Sequence, residues 1–205
     1  MKEKHVILAA RLISLIFTPF YLPLVGMAIL FVFSYLSMLE WGYKATVLLA
    51  VYFFTVLLPT LLIRLYRRTQ GWNLIELGRR ERRMVPYIIS IVCYFTCYYV
   101  MSRQHIPFVI GVVLLAALSI QIICAIINVW WKISTHSAAI GGIAGALVAF
   151  SFKFSFNPVW WLCLVFVIGG LVGSARMILR QHTLSQVVAG FCVGFISALH
   201  LIMRI

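Results

Sequence analysis

Residues 107–131 read PFVIGVVLLAALSIQIICAIINVWW. No charged side chain interrupts this run, and a helix needs only about 20 such residues to cross the hydrocarbon core of a bilayer. Its opening proline suits the first turn of a helix. Upstream, the pattern recurs at Val6–Leu39, Ala45–Leu65 and Pro86–Met101; downstream, it recurs at Ser137–Phe154, Pro158–Gly173 and Leu184–Met203. Pro19 and Pro23 break the first run near its middle, which fits one kinked span or an interfacial helix followed by a span. That run is too long for a signal peptide and lacks a small-residue cleavage site, so it is expected to be retained. The sequence therefore predicts an all-α fold, a polytopic transmembrane helical bundle of six to seven spans, in a single domain over residues 1–205.

Composition agrees. The chain of 205 residues is 64% hydrophobic and 10% charged, with a mean hydropathy of +1.07. A soluble fold of this size has no means of hiding so much apolar surface, whereas lipid solvates it. Seventeen Lys and Arg stand against four acidic residues, Glu3, Glu40, Glu76 and Glu81, and there is no Asp. The net charge of +13 is read as basic loops meeting anionic membrane lipids, or an anionic substrate at the membrane surface, and not as a nucleic-acid interface. So few carboxylates leave no cage for Mg²⁺ or Ca²⁺, and neither a metal nor an organic cofactor is expected. The five cysteines all fall in apolar runs and are read as small buried hydrophobes.

With seven spans, the N-terminus, the Tyr66–Val85 loop, the Lys132–His136 stretch and the Ser174–Thr183 turn share one membrane face. Polar chemistry concentrates in those segments. Three Gly-xxx-Gly pairs, Gly141/Gly145, Gly169/Gly173 and Gly190/Gly194, lie in the last three spans. Such pairs let helix backbones approach closely in lipid, and here they are expected to hold the polar loops rigidly relative to one another.

Three polar clusters remain outside the spans. They run from Arg79 to Pro86, from Trp130 to Ser137, and from Gly173 to Gln186. This inventory suits phosphoryl chemistry without metal. A phosphate monoester needs fixed cationic donors, ideally guanidinium forks. Its cleavage needs a nucleophile and a proton donor for the leaving oxygen, roles that two imidazoles can divide near neutral pH. His136 and His182 are the histidines of the motif-bearing loops.

The second and third clusters resemble the signatures of the type-2 phosphatidic acid phosphatase superfamily. Its Pro-Ser-Gly-His motif is met here by Ile133-Ser134-Thr135-His136, matching at Ser134 and His136. Its Ser-Arg, five residues, His, three residues, Asp motif is met by Arg176 and His182 at the family spacing, with Gln186 at the Asp position. The resemblance implies that His182 is the nucleophile forming a phospho-histidine and that His136 protonates the departing alkoxide. It implies that Arg176 and Ser134 hold phosphate oxygens, with Thr135 adding a backbone N–H at a helix start. Lys132 joins them as a basic neighbour of the second motif. In the family's first motif, Lys, six residues, Arg-Pro, this chain keeps Pro86 but has Gly78 and Val85 at the basic positions. Arg82 or Arg83 would then supply the clamp from a shifted register. Gln186 in place of Asp can accept the imidazole N–H but brings no negative charge.

The expected protein is an integral multi-pass protein of the cell (inner) membrane, with a motif-bearing core at about 79–190. It removes phosphate from a lipid phosphomonoester or diphosphate of the phosphatidate, phosphatidylglycerophosphate or polyprenyl diphosphate kind. The alternatives are a catalytically weak or inactive lipid-binding protein on the same scaffold, and a small transporter. The spans carry almost no charge at mid-depth, which disfavours the transporter. The lipid, the membrane face of the site and the oligomeric state are not legible in the sequence.

Overall fold

The computed structural model describes residues 2–69, 80–104 and 106–204, with the side chains of residues 2, 3 and 80–83 outside that description. Among the described residues the chain forms helices and no strand. They are α1 (Lys2–Ile16), α2 (Leu22–Phe33), α3 (Trp41–Tyr52), α4 (Leu58–Thr69), α5 (Arg80–Arg103), α6 (Phe108–Trp130), α7 (Thr135–Phe154), α8 (Val159–Ile178) and α9 (Leu184–Met203). Joined across short turns, they make seven stretches long and apolar enough to span a membrane. The protein is a polytopic helical membrane protein.

The first two stretches are interrupted. A 3₁₀ turn at Pro19–Tyr21 separates α1 from α2. The proline ring fixes φ and removes an N–H, so a continuous α-helix through Pro19 is disfavoured. Beyond the break, the start of α2 meets α7, Leu22 touching the position of Gly142. At its far end Phe33 stacks on Phe156, with ring centroids 4.5 Å apart. A π-helical turn at Phe53–Leu57 joins α3 to α4. It lies just before Pro59, whose missing N–H a wider turn accommodates.

The centre of the bundle is α6 and α7, each with 67% of its apolar window buried, against 17–39% for the other stretches. The outward faces carry Leu, Ile, Val, Phe and Trp side chains such as Trp160 and Phe152, as lipid contact requires.

Two of the three glycine pairs face each other. A Cβ placed on Gly141 or Gly145 of α7 would strike the carbonyls of Phe191 or Phe195 in α9. One placed on Gly190 or Gly194 of α9 would strike the carbonyls of Ser134 or Ala138 at the start of α7. The α7–α9 interface is thus backbone against backbone. The third pair behaves differently, for Gly169 and Gly173 of α8 meet only side chains, of Ile140, Phe191 and Val187.

Two helix boundaries and one burial reading depart from the sequence reading. Helix α5 begins at Arg80 and carries Pro86 inside it, because the basic run continues the helix instead of preceding it. Helix α8 runs on to Ile178, so that Ser174, Ala175 and Arg176 are helical and not part of a turn. Two of the five cysteines, Cys163 and Cys192, are exposed on the outer face. An apolar run alone does not say which side of a helix faces lipid.

Candidate active site

Two helix starts and one helix end converge at one end of the bundle. Ser134 is the N-cap of α7; its Oγ accepts from the Ser137 N–H at 3.4 Å and pairs with Ser137 Oγ at 3.0 Å. This leaves Thr135 as the first residue of a helix whose positive dipole end faces the polar loops. Helix α9 starts from Thr183, with Gln186 reaching back in a capping box. Helix α8 ends in a tight turn with Arg180 left-handed at φ 52°. There Arg180 N–H donates to Met177 O at 2.9 Å, and Gln181 N–H donates to Arg176 O at 3.0 Å. This Schellman-type closure sets the path from Arg176 to His182. The two motif segments are also tied directly, since Ser134 N–H donates to Gln186 O at 3.3 Å.

The segments enclose a cavity of about 390 Å³. Lys132, Thr135, Arg176 and His182 line it, brought together from the α6–α7 and α8–α9 segments. Pro86 and Tyr87 of α5 and Pro19 and Phe20 of the α1–α2 break form further walls. Arg176 Nη1 donates to Ser14 Oγ of α1 at 2.7 Å, while its Nε is buried with no hydrogen-bond partner among the described residues. A buried guanidinium with an unmatched donor is a ready receptor for an oxyanion.

The His182 ring can be assigned a tautomer. Gln186 Oε1 accepts the Thr183 backbone N–H at 3.2 Å and lies 3.2 Å from His182 Nδ1. The backbone donor identifies that amide atom as the oxygen, since an NH₂ group there would oppose an N–H. The imidazole nitrogen facing it is therefore the protonated one. In the neutral ring of that tautomer, Nε2 is the nitrogen that carries the lone pair a nucleophile requires.

The remaining expected residues lie differently. Ser134 is fully buried, its hydroxyl occupied by the cap. His136 does not line the cavity. Its ring is hydrogen-bonded to the Ser14 backbone and feels the charges of Arg176 and His182, while Nδ1 is buried without a partner among the described residues. The side chains of Arg82 and Arg83 lie outside the described residues, as do Gly78 and Arg79. Sequence reasoning missed Ser14, whose hydroxyl is a lone polar group in an apolar run. It also missed the amides Gln121 and Asn128, both buried on the cavity wall. A polar residue inside a span is a functional signal, and these two carried it.

A family model described as the PAP2 superfamily matches residues 128–204. Over that stretch the chain is similar to the PAP2 superfamily. The matched stretch begins at Asn128 and covers both motif segments, while α1 to α5 lie outside it. No curated protein and no solved structure matches the chain. The match supports a phosphatase-type function in general terms, on a scaffold integral to the membrane.

Proposed function

We propose that this protein hydrolyses a lipid phosphate through a phospho-histidine, as its similarity to the PAP2 superfamily suggests. One observation carries the proposal: Arg176 and His182 line the same cavity, with Gln186 Oε1 3.2 Å from His182 Nδ1. In this reading the phosphate seats against Arg176, Lys132 and the Thr135 N–H at the start of α7. His182 Nε2 attacks phosphorus as the bond to the alkyl oxygen breaks, and the alkoxide takes a proton from His136. Water, deprotonated by His136, then attacks the phospho-histidine, releasing phosphate and restoring His182. His136 would turn from Ser14 toward the cavity to serve in this way. Ser134 acts here through the helix cap it provides.

Arg176 and Lys132 supply the charge stabilisation that a divalent ion would otherwise give. Gln186 holds the ring but leaves the cationic phospho-histidine without a carboxylate. This favours, as a second reading, a lipid-phosphate-binding protein with slow turnover. The test is phosphate release by purified protein in detergent, without divalent metal, from mixed lipid phosphates. Release supports the enzyme; lipid phosphate binding without release supports the second reading; neither would overturn both.

A further inference from the structure

We propose that the α5–α6 wall of the cavity is a subsite for a leaving group bearing a free hydroxyl, with Asn128 and Gln121 as its specificity-determining residues. The inference rests on the phosphatase reading and narrows its substrate. Asn128 follows Gln121 by two turns of α6, so both point the same way. They are 4% and 6% exposed and line the cavity, joined by Ser90 of α5 at 2%. Gln121 lies about 14 Å along the helix axis from the end of α6, at 1.5 Å per residue. The cavity therefore carries polar groups from the headgroup region well into the depth of the membrane.

These groups are poorly matched by the protein itself. Asn128 Oδ1 is buried with no hydrogen-bond partner among the described residues. Gln121 is bonded to the fully buried Tyr94, whose hydroxyl is directed at Phe20 O, 3.5 Å away. With that proton so directed, the Gln121 amide N–H is the donor to Tyr94, and its carbonyl oxygen remains for the cavity. Ser90 Oγ donates to Pro86 O at 2.7 Å and keeps its lone pairs.

The wall is consequently neutral and polar, with acceptors at Asn128, Gln121 and Ser90. An anionic phosphate is held more strongly by the cationic Arg176 and Lys132 on the same cavity. No Asp or Glu lines the cavity among the described residues, so an O–H donor fits better than an ammonium group. A purely hydrocarbon alcohol would cover the amides and leave them unpaired, which such sites reject strongly. The chemistry that fits is a lipid phosphate whose leaving alcohol is a polyol, with a free hydroxyl next to the ester carbon.

The test uses the full chain in detergent with two probes, 1-O-dodecylglycerol 3-phosphate and dodecyl phosphate. Wild type should favour the glycerol probe in kcat/KM by about 10- to 100-fold, and Asn128→Leu should bring that ratio to near 1. Gln121→Met serves as second variant if Asn128→Leu does not fold. A wild-type ratio near 1, as expected of a wall that holds only water, overturns the proposal. So does a large ratio that survives in the folded variants. If neither probe releases phosphate, the phosphatase reading falls, and the subsite is then decided by thermal stabilisation with the phosphate-free alcohols. A larger rise in Tm with dodecylglycerol than with dodecanol sustains the subsite; equal rises overturn it.

Discussion

At the scale of single residues, the His182–Gln186 contact does what a carboxylate does elsewhere in orienting an imidazole, without its charge. In a serine-protease triad, replacing Asp by Asn costs on the order of 10⁴ in turnover, chiefly through the wrong tautomer. Here the Thr183 N–H fixes the amide so that the oxygen faces the ring, and the proposed mechanism is expected to avoid that loss. Gln186→Leu should therefore abolish most phosphate release, whereas Gln186→Asp should preserve or raise it between pH about 5 and 8. Full activity in Gln186→Leu would show that the ring is held by something else. His182→Ala and Arg176→Ala should each remove activity while leaving folded, monodisperse protein. Ser14→Ala should lower kcat/KM about 10-fold, the effect of one hydrogen bond to a charged group, since Arg176 loses the partner at 2.7 Å. Unchanged kcat/KM would mean that Arg176 is held without it. His182, Gln186 and Arg176 were legible because their spacing along the chain is also their juxtaposition across one tight turn. Ser14 was not, because the contact that gives it meaning joins α1 to α8 across the fold.

At the scale of helices, the long uncharged runs gave the spans, since crossing lipid leaves few alternatives to a helix. Their ends were less legible. Pro86 reads as a helix start, yet α5 extends back to Arg80, because a proline is tolerated where neighbouring helices and side chains accommodate the freed backbone groups. Glycine spacing marked three close contacts, of which two are real backbone contacts. Whether a glycine pair faces a partner depends on helix rotation, which spacing does not contain. Gly194→Ala would drive a methyl into the Ala138 carbonyl. It should lower the Tm in detergent by at least about 5 °C, the consequence of roughly 2 kcal/mol of overpacking in a chain of this size. Gly170→Ala, where nothing lies within 4 Å, should leave the Tm unchanged. Equal behaviour of the two variants would contradict the packing described for α7 and α9.

At the scale of the whole molecule, the spans put the C-terminal end of α9 on the opposite side from His182. The Lys and Arg residues concentrate on the motif-bearing side, and on the positive-inside rule we propose that this side faces the cytoplasm. A reporter fused after Ile205 should then report from the far side of the membrane. A cytoplasmic C-terminus would reverse the assignment and turn the cavity outward.

The backbone-to-backbone seam between α7 and α9 also bears on hydrophobic mismatch. A bilayer thicker or thinner than a span makes helices tilt to compensate. Helices locked at four glycines tilt as one body, so the segments carrying His136 and His182 keep their separation as the lipid changes. Helix α8, which carries Arg176, meets its neighbours through side chains alone at Gly169 and Gly173 and is not part of that backbone seam. Reconstitution in lipids of graded acyl length should accordingly move KM, through the phosphate clamp, more than it moves kcat.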